Sequence, residues 1–107
     1  MADKWTGIAE AFPPGEFIRE ELECRGWTQQ QLADRMERPV QVVNMIVNGR
    51  KAITAETALQ LQKAFGSSAT YWMGLEADYQ IYKLDKEKKA AKRRARENAR
   101  EKVSGTE

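Results

Sequence analysis

RPVQVVNMIVNGRKAIT, residues 38–54, admits two incompatible readings. Six of its residues (Val40, Val42, Val43, Met45, Ile46 and Val47) are β-branched or bulky and apolar, and Asn48 followed by Gly49 closes the run. Judged by β propensity and hairpin chemistry, this is a strand running into a tight turn. The alternative is a helix ended by Gly49, with Gln41 and Asn44 pointing outward. Strict alternation requires every second residue to be apolar, and the pair Val42-Val43 and the triplet Met45-Ile46-Val47 violate it. Helical spacing does better, placing Val40, Val43, Ile46 and Val47 on one face. Pro39 can sit in a first helical turn, and Asn48 with Gly49 can supply a left-handed cap. The β-branched residues oppose a helix by only a few tenths of a kcal/mol each. Burial of several such side chains contributes roughly 1.5–3 kcal/mol each, and that outweighs the propensity term.

The neighbours decide the matter. PPGE at 13–16 opens a helix: proline suits the first turn, and Glu16 suits the positive end of the dipole. Phe17, Ile18 and Leu22 then form an apolar face opposite Glu20, Glu21 and Glu23, and Gly26 ends the segment. Thr28 with Gln31 is a capping-box pattern, followed by Leu32, Ala33 and Met36 on one side of a short helix. Thr54 caps a segment with Ala58, Leu61 and Phe65 facing inward, ended by Gly66. Ser67 and Ser68 cap a fifth, with Trp72, Leu75, Tyr79 and Tyr82 recurring at three and four. A lone strand among five helices would have no partner, and an isolated hairpin is marginal in water. The chain is therefore expected to be all-α.

Length and composition bound what such a bundle can do. The chain has 107 residues, enough for one domain or one domain with an appendage. It carries no histidine and one cysteine, Cys24. That excludes an intrachain disulfide and leaves only carboxylates for a zinc site, so no metal or other cofactor is expected. Cys24 itself is expected to be an inert, partly buried thiol. With no imidazole, no paired carboxylates in an apolar pocket pattern and no phosphate loop, no enzyme is expected. Apolar runs are only a few residues long, so no membrane span is expected, and residues 1–12 lack the pattern of a secretion signal. A cytoplasmic setting follows as the expectation. Residues 1–82 hold 8 Lys/Arg and 11 Asp/Glu, net −3, while residues 83–107 hold 10 and 5, net +5. Nucleic-acid binding by the domain would then rest on local placement of charge, since its total charge gives no attraction.

Beyond Tyr82 the residues are good helix formers with almost no large apolar side chain after Leu84, and pairs such as Asp85–Lys89 stand at helical spacing. This is expected to be a solvated helical extension fraying near Ser104 and Gly105. Non-specific DNA contact and docking to a partner protein are its sharper alternatives. The organisation expected is an arm over 1–13 (pinned, if at all, by Trp5, Ile8 and Phe12), a domain over 14–82 and a basic helical tail over 83–107.

Two short helices joined by a tight turn, the second with outward amides, form a helix-turn-helix pattern. Ala33 lies where the first of the two must let the second approach closely. Val43 sits where the second packs back, with Ile46 and Val47 one turn later. Gln29 opens the first, where backbone amides and a side-chain amide can hold a phosphate.

In these features the chain resembles the Xre/Cro-type (lambda-repressor-like) helix-turn-helix proteins, and within them the HigA/VapI-type antitoxins. The likeness is carried by PPGEFIREEL, GWTQQQLADRM, RPVQVVNMIVNGRKAITAETALQLQKAFG and ATYWMGLEADYQIY, from about Pro14 to Tyr82. One departure is Glu37, at a turn position where the family usually has glycine. Either a left-handed non-glycine residue is kept at a steric cost, or the turn is rearranged.

The resemblance implies a five-helix DNA reader. Val40 and Gln41 would begin the recognition helix, with Asn44 one turn later. Their chemistry suits base readout, an amide for adenine N6/N7 and an aliphatic group for a thymine methyl. Gln29, Gln30, Arg38, Arg50 and Lys51 would hold phosphates. Two copies would read a palindromic operator in double-stranded DNA, with Trp72, Leu75 and Tyr79 as the dimer interface. The resemblance further implies autorepression and a cognate, RNA-cleaving toxin as protein partner. A phage or chromosomal regulator without a toxin, and a helical protein-interaction module, are the competing readings. The plainer alternatives are that Gln41 and Asn44 are solvated polar positions and that Arg50 and Lys51 are ordinary dipole partners, a role that can coexist with phosphate contact. Trp27 is expected in the core.

Overall fold

The computed structural model describes residues 11–105, with side chains through residue 99. The stretch that opens the sequence question is helical. The five helices are α1 (Pro14–Arg25), α2 (Gln29–Met36), α3 (Val40–Val47), α4 (Ala55–Phe65) and α5 (Ala69–Gly105), with no strand among the described residues. Residues 1–10 of the expected arm, including Trp5 and Ile8, lie outside the described residues.

Local chemistry accounts for the boundaries. Proline stands in the first turn of α1, and Gly26 ends the helix at φ 67 as Trp27 N–H donates to Leu22 O at 2.9 Å. The capping box of α2 is complete: Gln31 N–H donates to Thr28 Oγ1 at 3.1 Å, and Thr28 N–H donates to Gln31 Oε1 at 2.8 Å. Thr54 Oγ1 accepts from Thr57 N–H at 3.2 Å, and Ser68 Oγ accepts from Tyr71 N–H at 3.1 Å, which starts α4 and α5. At the end of α3 the left-handed residue is Gly49 (φ 76), and Arg50 N–H donates back to Met45 O at 2.8 Å.

Residues Ala11–Tyr79 form one compact unit. Its core is Ile18 and Leu22 of α1, Leu32, Ala33 and Met36 of α2, and Val43, Ile46 and Val47 of α3. Ile53, then Ala58, Leu61 and Phe65 of α4 and Trp72 of α5 complete it. Ala33 and Ala58 are fully buried where a longer side chain would hold the helices apart. Gly15 does the same job for α1. A Cβ built there would lie 2.3 Å from Val47 O and 2.7 Å from Ile46 O, so the first turn of α1 rests directly on the last carbonyls of α3. Half-buried Trp27 stacks on Phe65 at 5.7 Å between centroids, with the Arg35 guanidinium 4.0 Å from its ring centre. Arg25 Nη2 donates to Phe65 O at 2.8 Å, which ties the end of α1 to the end of α4.

Two expectations need correction. Cys24 is exposed rather than partly buried, because it falls on the outer face of α1 beside Glu23. Trp72 is fully buried and packs against Phe65 at 5.9 Å, so its ring belongs to the core of its own unit and presents no surface to a second copy. The reason is helical phase: position 72 faces α4, while Tyr71 and Met73 on either side face outward.

The residues from Gln80 onward belong to a second unit. They are helical through Gly105, with Lys89 Nζ 3.1 Å from Asp85 Oδ2 and Lys86 Nζ 5.4 Å from the Tyr82 ring centre.

Candidate nucleic-acid interface

Burial of Val43, Ile46 and Val47 fixes the rotation of α3 and thereby its outer face. Gln41, Asn44 and Asn48 are exposed on that face and Val40 is half-buried at its start. Three and four residues separate these amides, so they form one row.

Asn44 and Asn48 of this row are held in a hydrogen-bonded line. Arg19 Nη2 of α1 donates to Asn48 Oδ1 at 3.1 Å, and Asn48 Nδ2 donates to Asn44 Oδ1 at 3.2 Å. Asn44 Nδ2 in turn donates to Gln29 Oε1 at 3.3 Å. An amide side chain has two N–H donors and two acceptor lone pairs. Asn44 therefore keeps one of each, which matches the N7 acceptor and N6–H donor on the major-groove edge of adenine. Its side chain is held in place before any ligand arrives, so less rotamer freedom remains to be lost on binding.

The turn that brings α2 onto α3 settles the question posed by Glu37. Its backbone is left-handed at φ 58, ψ 44, and it is the one non-glycine residue with positive φ among the described residues. Arg38 N–H donates to Ala33 O at 3.0 Å, so the turn keeps the geometry that glycine would adopt. The carboxylate reaches across to form an ion pair with Lys63 of α4. The Lys63 ammonium, through its hydrogen bond and its charge, holds the Glu37 carboxyl below the ordinary carboxylate range. Arg38 Nη1 adds a second tie to α4 by donating to Gln60 Oε1 at 2.8 Å.

The loop after α3 is held at both ends. The Gly49 turn fixes its start, and buried Glu76 of α5 fixes its close by accepting Ile53 N–H at 2.9 Å. Arg50 and Lys51 stand exposed between these anchors.

The expected site residues thus fall into two groups. Gln29, Gln41, Asn44, Arg50 and Lys51 lie on or beside the α3 face, and Gln29 touches Asn44 directly. Gln30 and Arg38 are engaged with other side chains, Gln30 Nε2 donating to Asp34 Oδ1 at 2.9 Å and Arg38 to Gln60. Leu75 and Tyr79 are half-buried on α5. Arg19, Asn48, Gly15 and Glu76 escaped the sequence reading. Glu76 could have been noticed as a carboxylate four residues from Trp72 on the inward face of its helix. Arg19 carries no local signal, since its partner lies 29 residues away.

Comparison with known proteins agrees with this geometry. A family model described as helix-turn-helix matches residues 18–72. Virulence-associated protein I of Dichelobacter nodosus is 33% identical over 81 residues, covering 75% of this chain and 75% of that protein. An addiction module antidote protein of the HigA family from Coxiella burnetii superposes with a TM-score of 0.70 at 36% identity, covering 79% of this chain and 95% of that one. PA4674 from Pseudomonas aeruginosa, solved in complex with its operator DNA, has a TM-score of 0.68 at 30% identity, covering 73% of this chain and 84% of that one.

Proposed function

The chain belongs to the HigA-type branch of the Xre helix-turn-helix family, and from that premise we propose that it is a sequence-specific DNA-binding antitoxin. It represses its own operon by occluding the promoter and neutralises a cognate, RNA-cleaving toxin by forming a complex with it. The observation that carries the DNA reading is the line Arg19–Asn48–Asn44–Gln29, which presents Asn44 with one spare donor and one spare acceptor on an exposed helix face. The antitoxin reading is supported by the Coxiella burnetii antidote protein, and the operator reading by the Pseudomonas aeruginosa complex.

In this reading residues 14–82 are the DNA-binding and dimerisation domain, and residues 83–107 are a basic tail. Val40, Gln41 and Asn44 read bases. Arg50 and Lys51 hold phosphates, joined by Gln29, Gln30 and Arg38 to the extent that their present hydrogen bonds leave N–H groups over. Two copies bind half-sites about one helical turn, roughly 34–36 Å, apart. The dimer contact uses Leu75 and Tyr79 with Trp72 behind them. No catalytic step is assigned to the chain, and its setting is the cytoplasm. No described helix is long and apolar enough to cross a membrane.

The test is a mobility-shift assay on the DNA upstream of the gene, coupled to capture of partner proteins on the native chain. Gln41→Ala and Asn44→Ala should each weaken operator binding by about 1–3 kcal/mol, roughly five- to 150-fold, with the fold intact. Normal operator binding by both variants would overturn the readout. Capture of no ribonuclease-type partner, with operator binding retained, would leave a regulator and remove the antitoxin reading.

A further inference from the structure

Within the second unit the helix arranges its charges unevenly. Lys86, Lys89, Arg93 and Arg96 recur at spacings of three, four and three, so they share one face, and Lys92 stands beside them. All five are exposed. On the same face Asp85 is paired to Lys89 at 3.1 Å, and Glu97 lies at its edge. Lys86 is fixed over the Tyr82 ring at 5.4 Å. From Lys86 to Arg96 the stripe runs about 15 Å at the rise of an α-helix.

We propose that this basic face binds the phosphate backbone of duplex DNA without regard to sequence. The proposal rests on the DNA-binding reading above for the identity of its polyanion, but on a different set of residues. Three observations favour it. First, Lys89 with Arg93 and Lys92 with Arg96 are like-charge pairs four residues apart, an arrangement that weakens a free helix. A polyanion relieves that repulsion. Second, the segment from Lys86 to Arg96 has no apolar residue larger than alanine, whereas a protein partner would favour a larger apolar centre and few lysines. A regular row of phosphates, one per about 3.4 Å of each strand, requires only cations. Third, residues 1–82 carry net −3, so beyond the local phosphate contacts of Arg50 and Lys51 the recognition domain has no long-range attraction for DNA, whereas residues 83–107, net +5, supply one.

The experiment measures binding of the full chain to a random-sequence duplex without the operator, across a salt series. The native chain should show a steep fall of affinity with salt. The triple variant Lys89→Gln, Arg93→Gln and Arg96→Gln should flatten the slope of log K against log salt by about 2–3. Its circular dichroism should stay helical, because glutamine is a good helix former. An unchanged slope in a helical triple variant overturns the proposal. So does competition by sodium polyglutamate as effective as competition by duplex at equal charge, which would mark the face as a site for acidic polypeptides. Asn44→Ala is measured separately, on the operator. If that variant binds the operator normally, the α3 readout fails while the basic face stands.

Discussion

The turns on either side of α3 each contain a left-handed residue, yet they reach that shape by different means. After α3 the residue is Gly49, with nothing within 4 Å of where a Cβ would stand, and the conformation is open to it without steric cost. Before α3 it is Glu37, which carries a side chain in the same conformation and uses that side chain to pair with Lys63 on α4. The glycine end is a local solution, and what secures it lies elsewhere: Gly15 of α1 on the carbonyls of Ile46 and Val47, and Glu76 of α5 on Ile53 N–H. The glutamate end carries its own anchor. A residue disfavoured by backbone sterics can therefore stand where its side chain adds an exposed ion pair to a neighbouring helix, beside the Arg38–Gln60 bond that ties the same turn to α4.

The strongest way to break this comparison is Gly15→Ala. The added methyl would collide with backbone carbonyls, which cannot rotate away. The expected loss is about 3 kcal/mol by urea unfolding, at the upper end for overpacked sites. A change under about 0.5 kcal/mol would show that α1 can lift off α3 freely.

Glu76→Ala comes next. It removes the acceptor of a buried N–H, and the expected loss is about 2 kcal/mol. Glu76→Gln should recover part of it, because an amide oxygen still accepts. Equal losses in both variants would mean that the charge, and not the hydrogen bond, holds the loop.

Glu37→Gly has the smallest effect and sharpens the comparison through pH. Lys63 holds the folded carboxyl below its ordinary range. The ion pair therefore stabilises the native chain above the unfolded carboxylate value and is lost as pH falls through the depressed folded one. The glycine variant lacks that contribution and is free of the backbone cost at every pH. Its stability relative to the native chain should rise on acidification through the carboxylate range. A difference that stays constant across that range would show that the ion pair contributes nothing in solution.

Much of the fold was legible because its signals are local. Thr28 with Gln31, Thr54 and Ser68 cap the helices expected of them, and Gly26, Gly49 and Gly66 supply the left-handed turns that end α1, α3 and α4. The outer face of α3 was legible too, since three valine and isoleucine positions at helical spacing leave only one side for Gln41 and Asn44. Of the candidate interface, the sequence located that row but not what holds it. Arg38 and Gln30 are expected from the resemblance to hold phosphates and are tied to Gln60 and Asp34. Trp72 looked like an interface residue, because helical periodicity marks an apolar position without saying whether the surface behind it belongs to the same chain.

What the sequence by itself determined is therefore the set of helices, their ends and the face each one buries, all decided by residues within four positions of one another. Tertiary structure alone decided which helix meets which. That includes Gly15 under the end of α3, Arg19 bonded to Asn48, Glu37 paired with Lys63, and Glu76 reaching back to Ile53. The hydrogen-bonded and ionic ones among these contacts join residues 23 to 29 positions apart. Such pairings depend on how the helices cross, and crossing is a property of packed surfaces that periodicity along one chain does not contain.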